Sequence, residues 1–584
     1  MKILLIAINA KYIHSSLSVW YLKNSLSDDL GQTVVREFTI NDSYDRVFSS
    51  VYLEKPDILA FSCYIWNMGM VRSLVRDVHK VLPKSRIILG GPEASYDSQK
   101  IIVENPEVDY ILSGEGEVSF NKIISGLVYG NPNLDDIPGL SYRIGKETVH
   151  NKLDPSMEAL DNIPSPYTDE MLQRLQNRII YFESSRGCPY SCSYCLSSIT
   201  KGVKYLSLDE TFKRLDRLVL SDVRQIKFVD RTFNCNSERA SSIFSFIIEN
   251  YSEKKDINFH FEAAADLFDQ KMLDVLSKAP EGLIQLEIGI QTVNAVTLES
   301  IDRKTDLKKA FLNIEKLVSF KNMHIHLDLI AGLPYEDYES FKDSFNTVYL
   351  LRSHHLQLGF LKLLKGSKLR GEAKEHGFLY REEPPYEILC NKYISCDEMI
   401  RLKSFEEIFE RYYNSGRFSK TLEFLIDGYF ETPFSFYEAL MEYWSDNGHF
   451  SQKPSGRQLY TILLRFGERF CNGHHRIVLA ELLKFDYLSS DNSDNLPEGI
   501  KRNYYPGFKE KCFEFLKDES NLKTFLCDEG EKSAKQIYKK VHFEPFNVDV
   551  LSPLSYETAE RVIIFDYNRK SPVTGLYEHV LIKI

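Results

Sequence analysis

The first 130 residues alternate short apolar runs with amphipathic stretches, in a repeated order of strand and helix. Apolar runs predict strands at residues 2–8, 34–40, 57–62, 86–90 and 109–113, and amphipathic stretches such as 68–82 and 117–128 predict helices between them. Short strands rich in Ile, Leu and Val are typical of a sheet buried on both faces. The pattern therefore predicts an α/β domain with a doubly wound parallel sheet.

The same alternation resumes at residue 178, after a less regular connector with turn signals such as Asp136-Ile-Pro-Gly139 and Ile163-Pro-Ser-Pro166. It predicts strands near residues 179–184, 225–229, 258–264, 283–290, 324–330 and 356–364, separated by helices. Parallel barrels gather their catalytic groups at the carboxyl ends of such strands.

The last third of the chain has a different pattern. Helical periodicity with many Tyr and Phe residues runs through 399–413, 420–426, 435–443 and 457–470, and two strands are predicted at 560–569 and 577–584. These aromatic residues are expected to form core and packing surface. We therefore divide the chain into an N-terminal domain (1–130), a connector (131–177), a βα domain (178–370) and a mainly α-helical C-terminal domain (371–584).

Composition narrows the function classes. The 584 residues carry a net charge of −11, which argues against generic nucleic-acid binding. No apolar run approaches the length of a spanning helix, and the N-terminus lacks a signal-peptide pattern, so we expect no membrane insertion. Ten cysteines over this length favour a reducing, cytoplasmic location over a disulfide scaffold.

The most specific motif is the loop Ser185-Arg-Gly-Cys-Pro-Tyr-Ser-Cys-Ser-Tyr-Cys195, which spaces Cys188, Cys192 and Cys195 as Cys-x3-Cys-x2-Cys. Iron–sulfur clusters and structural zinc sites take four ligands, so three thiolates predict a cluster with one open iron. The alternatives are a zinc site with a remote fourth ligand, or unligated cysteines. Five cysteines of the last third are too scattered to indicate an auxiliary cluster, and buried free cysteine is the ordinary explanation for them, with a second site at the pair Cys390 and Cys396 as the alternative: Cys390, Cys396, Cys471, Cys512 and Cys527.

This spacing resembles the radical S-adenosylmethionine (SAM) superfamily, in which three cysteines hold a 4Fe–4S cluster and SAM chelates the fourth iron. Tyr194 occupies the aromatic position before the last cysteine. The resemblance implies an open, partial (βα)6 barrel for the second domain. It also implies two cofactors, a 4Fe–4S cluster and SAM, and a one-electron donor of the flavodoxin or ferredoxin type.

Residues at the predicted carboxyl ends of the barrel strands are candidates for SAM binding. They are Asp230, Glu262, Gln291 and Gly332. In the family, a carboxylate after the second strand commonly binds the ammonium group of the methionine part of SAM. Asp230 occupies this position in this chain. Gln291 and Arg303 lie where polar groups hold the ribose and the carboxylate. The alternative for each is a hydrogen bond or ion pair at the barrel rim.

Polar and glycine residues also follow the strands of the first domain. This set resembles the flavodoxin-like cobalamin-binding domain that precedes the radical domain in one large subclass of the superfamily. In such domains a Ser after the third strand and a Gly-Gly pair after the fourth strand contact the nucleotide tail of cobalamin. Ser62 and Gly90–Gly91 occupy these positions in this chain. The full candidate set is Tyr12, His14, Ser62, Gly90, Gly91, Glu93, Gly114 and Glu115.

One departure concerns the lower ligand of cobalt. Many cobalamin domains carry Asp-x-His-x-x-Gly after the first strand, whereas this chain has Tyr12-Ile-His-Ser-Ser-Leu17. A ligating histidine usually has its other nitrogen held by a carboxylate. We therefore expect that His14 does not ligate cobalt. A plain nucleotide-binding fold is the alternative for the domain, but no Gly-x-Gly-x-x-Gly opens the first helix.

The resemblance as a whole implies a cobalamin-dependent radical SAM enzyme with an uncharacterised C-terminal domain. The implied reaction generates a 5′-deoxyadenosyl radical and methylates an unactivated carbon by way of methylcobalamin, on a substrate that the sequence leaves unknown. The alternatives are a non-methylating radical cyclisation or rearrangement, and a cobalamin- or redox-responsive regulatory protein. If cobalamin serves the radical site, the strand ends of the first domain must face the cysteine loop.

Overall fold

The computed structural model describes residues 1–130, 133–153, 159–199, 202–221, 223–254, 256–526, 533–552 and 556–584, with the backbone alone at 523. The chain forms two compact units. The first contains Met1–Leu317, Gly332–Asp337 and Gly359–Cys396, and the second contains Val318–Ala331, Tyr338–Leu358 and Asp397–Ile584. The predicted domain bounds remain proposals.

The N-terminal part of the first unit is the predicted doubly wound sheet. Its strands are β1 (Lys2–Asn9), β2 (Gln32–Thr39), β3 (Ile58–Ser62), β4 (Arg86–Gly90) and β5 (Tyr110–Leu112). They pair in parallel in the order β2-β1-β3-β4-β5, which is the flavodoxin order. The helices are α1 (Leu17–Asn24), α2 (Tyr44–Glu54), α3 (Met68–Val81), α4 (Pro92–Ser95), α5 (Ser98–Glu104) and α6 (Gly116–Tyr129).

The core of this sheet explains the sequence pattern. Leu4, Leu59 and Ile87 on neighbouring strands are fully buried, and Val75 of α3 packs in the same cluster. Burying such side chains on both faces contributes about 1.5–3 kcal/mol each. The predicted fold class of this domain is confirmed.

The connector extends the sheet. The strands β6 (Leu140–Ile144) and β7 (Glu147–His150) form a hairpin, and β6 pairs antiparallel with β5. The described part of the connector continues through a short helix, α7 (Asp169–Arg174), whereas residues 131–132 and 154–158 lie outside the described residues.

The first unit also contains most of the βα series. Its strands are β8 (Ile180–Phe182), β9 (Ser185–Cys188), β10 (Gly202–Tyr205), β11 (Gln225–Phe228), β12 (Asn258–Ala263) and β13 (Ile284–Gln291). The order β8-β11-β12-β13 is parallel, and β9 and β10 form a separate antiparallel hairpin. The helices are α8 (Leu208–Leu220), α9 (Ser237–Tyr251), α10 (Gln270–Leu276), α11 (Ala295–Ser300) and α12 (Leu307–Ser319).

The series continues in the second unit with β14 (His324–Ala331), α13 (Tyr338–Tyr349) and the first four residues of β15 (His355–Phe360). The six predicted βα strands are therefore all present, as the radical SAM fold requires. The first unit ends with α14 (Lys368–Gly371), β16 (Leu379–Tyr380) and β17 (Ile388–Cys390).

The C-terminal part is mainly helical, as predicted. Its helices are α15 (Cys396–Phe409), which a π-helical turn (Glu410–Asn414) extends, α16 (Ser419–Tyr429), α17 (Pro433–Asp446), α18 (His449–Gln452), α19 (Gly456–Gly467), α20 (His474–Ser490), α21 (Phe508–Lys517), α22 (Glu519–Phe525) and α23 (Ala534–Tyr538). Its aromatic residues form packing contacts, such as the stacked Phe405 and Phe434 with ring centroids 4.2 Å apart.

One strand of the C-terminal sheet was not predicted. Besides the two predicted strands, now β19 (Thr558–Lys570) and β20 (Tyr577–Ile582), the sheet contains β18 (Val541–Val548), which pairs only with β19. Pro545 and the charged Glu544 break the apolar pattern of this segment. An edge position tolerates the proline. Glu544 is fully buried because it forms ion pairs with Lys484 (3.3 Å) and Arg502 (2.6 Å).

Candidate functional site

The β9–β10 hairpin presents the first of the three predicted cluster cysteines. Cys188 ends β9 opposite Gly202, and the backbone N–H of Cys195 donates to the carbonyl of Cys192 at 3.0 Å. Gly187 adopts φ +103°, and a Cβ there would collide with the Gly202 carbonyl. The glycine in Arg-Gly-Cys therefore allows the close approach of the two strands.

The three thiols are free and electrostatically coupled. Cys192 is buried, and Cys188 and Cys195 are half-buried. Burial raises the pKa of the Cys192 thiol, Arg303 opposes that rise, and the charges of the other two cysteines add to it. All three thiols lie on one loop that begins at the end of β9.

Arg303, predicted as a SAM ligand, lies directly beside this loop. Its Nη1 is 3.9 Å from the Cys192 sulfur and 3.4 Å from the Tyr194 hydroxyl, and its Nη2 donates to the Gly289 carbonyl. The charges of Tyr194 and Cys192 help to raise the pKa of this guanidinium against the effect of burial. The structure therefore brings Tyr194 and Arg303 to the cysteine loop.

Asp230 holds the start of the cysteine loop. Its carboxylate accepts hydrogen bonds from the Ser184 N–H (3.0 Å), the Ser184 hydroxyl (2.6 Å) and the Ser185 hydroxyl (2.6 Å). The side chain is fully buried, and burial raises its pKa although the serine hydrogen bonds lower it. The predicted contact with the methionine ammonium remains a proposal, and the observed contacts are those of a residue that orients the loop.

The other SAM candidates lie at strand ends. Gln291 ends β13 with φ +73°, and its side chain covers Gly289, where a Cβ would meet both the Gln291 amide and, at 3.7 Å, the Arg303 guanidinium. The Gln291 amide and the Arg303 guanidinium therefore both lie beside Gly289. Gly332 accepts a hydrogen bond from the Asn391 side chain at 2.9 Å, and Glu262 is 3.9 Å from Lys227.

Sequence analysis missed a set of polar residues on the strands themselves. Glu287 on β13 is 2.9 Å from both Lys227 on β11 and His260 on β12. Burial opposes ionisation of Glu287, but the His260 hydrogen bond and the Lys227 charge outweigh it and lower the pKa of the carboxyl. The signal was the alternation Ile-Gln-Leu-Glu-Ile-Gly-Ile-Gln, in which every second residue of β13 is half-buried.

The cobalamin candidates of β3 and β4 lie close together. Ser62 ends β3 in register with Gly90, and its hydroxyl is 3.2 Å from that of Ser18. Gly91 adopts φ +96°, and a Cβ there would lie 2.6 Å from the Cys63 carbonyl oxygen. The Gly-Gly pair therefore allows the turn into α4 to lie against the loop after β3.

The loop after β3 also contains Trp66, which we did not single out. Its indole N–H donates to the Ile8 carbonyl at 2.9 Å, and its ring stacks on Tyr64 with centroids 4.6 Å apart. The side chain is nevertheless 42% exposed at the carboxyl end of the sheet, where ligands of such sheets bind.

His14 contacts the first barrel strand. Its Nδ1 is 2.8 Å from the Tyr181 hydroxyl, and the two rings stack. Burial, Lys11 and Lys227 lower the pKa of the imidazole, which favours the neutral form. Tyr12 is exposed and lies under the Arg178 guanidinium, which is 4.4 Å from the ring centroid.

Two loops of the cobalamin domain contact later segments of the same unit. Glu93, buried after β4, accepts a hydrogen bond from Tyr386 at 2.7 Å. Glu115, beside Gly114 in the turn after β5, is 3.0 Å from Lys204 and 3.3 Å from Arg186. Burial raises the pKa of Tyr96, and a smaller electrostatic contribution from Cys195 adds to that rise. The strand ends of the first domain therefore face the cysteine loop.

These residues fit the implied cofactors. Three free thiols on one loop, with a half-buried arginine beside them, suit a cluster with an open iron. Within the described ranges no cysteine forms a disulfide; Cys390 is half-buried, Cys396 is exposed, Cys471 and Cys512 are buried, and Cys527 lies outside those ranges. No helix among the described residues is long and apolar enough to cross a membrane.

Three family sequence models match the chain. The B12 binding domain matches residues 3–124, the Radical SAM superfamily matches 182–348, and a protein family of unknown function (DUF4080) matches 374–565. The prediction of a cobalamin-binding radical SAM protein with an uncharacterised C-terminal domain, and of its three cofactors, is confirmed by these matches.

Characterised proteins are similar to parts of the chain. The cobalamin-dependent radical SAM methyltransferase TokK of Streptomyces tokunonensis is 27% identical over 56% of this chain and 50% of its own length. The 2-(S-pantetheinyl)-carbapenam-3-carboxylate methyltransferase of Streptantibioticus cattleyicolor is 24% identical over 56% and 51%. The chain thus spans about half the length of these curated relatives.

The fold is similar to that of a solved structure over most of both chains. The cobalamin-dependent SAM radical enzyme OxsB, with aqua-cobalamin and SAM bound, superimposes with a TM-score of 0.57 and 14% identity, covering 85% of this chain and 84% of OxsB. At this identity the likeness concerns the fold alone.

Proposed function

Because the chain joins a B12 binding domain, a radical SAM domain and a DUF4080 domain, we propose that it is a cobalamin-dependent radical SAM methyltransferase that acts on an unactivated carbon. One observation carries the proposal: the turn after β5 of the cobalamin domain forms ion pairs with the hairpin that bears Cys188, including Glu117 to Arg186 at 2.7 Å. Radical methylation requires that one substrate carbon be reached from both cofactor sites, and this contact brings together the two loops that would hold those cofactors.

When bound, the cluster and SAM would supply one-electron radical chemistry, and cobalamin would supply the methyl group. The chain positions these groups. Cys188, Cys192 and Cys195 hold the cluster, and the Arg303 guanidinium partly offsets the charge of the thiolates. Gln291 and Arg303 are proposed to hold the ribose and carboxylate of SAM, with Asp230 orienting the loop.

An external one-electron donor of the flavodoxin or ferredoxin type is proposed to reduce the cluster, in the cytoplasm. The polar residues Lys227, His260 and Glu287 on the strands are available to orient a substrate.

The decisive experiment measures the products of SAM. Anaerobically reconstituted protein is given cobalamin, reductant, methyl-deuterated SAM and an extract of cells that lack the chain. We expect both S-adenosylhomocysteine and 5′-deoxyadenosine, with label in a new product. Deoxyadenosine alone would indicate a cyclisation or rearrangement, and neither product would indicate a regulatory protein.

Replacing His14 by Ala should leave the electron paramagnetic resonance (EPR) spectrum of the cob(II)alamin form unchanged. The partner of Nδ1 is the Tyr181 hydroxyl rather than a carboxylate, so the support that a metal-ligating histidine usually has is missing. Loss of nitrogen superhyperfine splitting in His14→Ala, but not in Tyr12→Ala, would instead identify His14 as the lower ligand.

Replacing Asp230 by Asn should weaken cluster retention. The amide can accept from the two serine hydroxyls, but its NH2 group then faces the Ser184 N–H, and an unsatisfied buried donor costs about 1–3 kcal/mol. Iron should be lost to a chelator about tenfold or more faster than from the wild type. Asp216→Asn serves as the control and should match the wild type, because the Asp216 carboxylate accepts its hydrogen bond from the Tyr251 hydroxyl, away from the cysteine loop.

A further inference from the structure

Arg186 lies two residues before the first cluster cysteine, and its guanidinium contacts three carboxylates. Its Nε and Nη2 donate to the two oxygens of Glu183 at 2.9 and 2.8 Å. On the other side, Nη2 donates to Glu117 at 2.7 Å and Nη1 is 3.3 Å from Glu115. Glu183 follows β8, whereas Glu115 and Glu117 belong to the cobalamin domain. One side chain therefore joins the two cofactor regions.

These contacts are shielded from water. The side chain of Arg186 is 18% exposed and those of Glu117 and Glu183 are 10% and 11% exposed, so the ion pairs are screened less than surface pairs. The contact with Glu183 is bidentate, a geometry that the planar guanidinium provides and the ammonium of lysine does not.

The second strand of the hairpin binds the same turn. Lys204 on β10 is in register with Arg186 on β9, and its Nζ is 3.0 Å from Glu115. Both strands that support Cys188 are thus anchored to the segment 114–117, where α6 begins. Without Arg186 the three carboxylates would lose the cation that they share and would repel one another, while the ion pair between Lys204 and Glu115 would remain.

We propose that Arg186 is a positioning residue that fixes the cluster hairpin against the cobalamin turn and so sets the separation of the two cofactors. The consequence for methyl transfer rests on the proposed function, whereas the positioning itself concerns only the two loops. Small displacements of reacting groups are costly to rate. Arg186 therefore controls how often the radical reaction ends in methylation rather than in deoxyadenosine alone.

The test compares Arg186→Gln, Arg186→Lys and Glu117→Gln with the wild type, as full-length protein loaded with cluster and cobalamin. Dipolar EPR between the reduced cluster and cob(II)alamin measures their separation. We expect a single narrow distance for the wild type, a broadened distribution for Arg186→Gln and Glu117→Gln, and an intermediate width for Arg186→Lys, which keeps the charge but not the fork. The control is Arg217→Gln, which breaks an exposed ion pair with Asp169 and should leave the distance unchanged.

A second measurement covers the case in which Arg186→Gln fails to retain its cluster. Hydrogen exchange of the cofactor-free full chain should be about tenfold or more faster in β9, β10 and the first turn of α6 for both Arg186→Gln and Glu117→Gln. Wild-type distances or, where loading fails, wild-type exchange in both variants would overturn the proposal. Neither readout requires a substrate. If the wild type has a single narrow distance but transfers no methyl group, the proposed function fails and the positioning role stands.

Discussion

Replacing Cys188, Cys192 and Cys195 together by Ala should lower the iron content of the reconstituted protein from about four per chain to less than about one, because these three free thiols on one loop are the ligands assigned to the cluster. The broad absorbance of the cluster should disappear with the iron. SAM cleavage should fall to background in the same variant.

The matched control replaces Cys390 and Cys396 by Ala, because these two cysteines also lie close together along the chain. Cys390 is half-buried at the end of β17, and Cys396 is exposed at the start of α15. This variant should keep full iron and absorbance. Unchanged iron in the triple variant, or loss of iron in the control, would contradict the assignment of the cluster to the Cys188–Cys195 loop.

Replacing Gly91 by Leu should weaken cobalamin binding by about 10- to 100-fold. A side chain at φ +96° is strained by about 1–3 kcal/mol, which corresponds to this range. The added Cβ would also lie 2.6 Å from the Cys63 carbonyl oxygen, so the turn after β4 must move away from the loop after β3. Titration with hydroxocobalamin measures the affinity.

Gly428→Leu is the control for the size of the substitution, because Gly428 lies on the exposed side of α16 with open space around its Cβ position. It should bind cobalamin like the wild type. Iron content and the far-UV spectrum report whether Gly91→Leu still folds. A folded Gly91→Leu protein with wild-type affinity would place the nucleotide tail elsewhere.

Local patterns in the sequence were sufficient to predict the elements and the cluster motif. Strands such as β4, predicted and found at Arg86–Gly90, are visible because burial on both faces requires an unbroken apolar run. Cys188, Cys192 and Cys195 were recognisable because a cluster on one loop needs closely spaced thiols. Strand β18 was not predicted because Pro545 in its sequence is typical of a loop, and the sequence alone does not show that β18 pairs with β19 at the edge of a sheet.

Only the tertiary structure determined which residues contact each other across long separations in the sequence. Asp230 was predicted to bind SAM from its place after a strand, but its contacts with Ser184 and Ser185 depend on how two strands pack. Lys227 and Glu287 form an ion pair 60 positions apart, and Arg186 reaches Glu117 across 69 positions. A sequence motif records which groups are available. Only the fold determines which of those groups face one another, because loop closure brings them together at strand ends from separate parts of the chain.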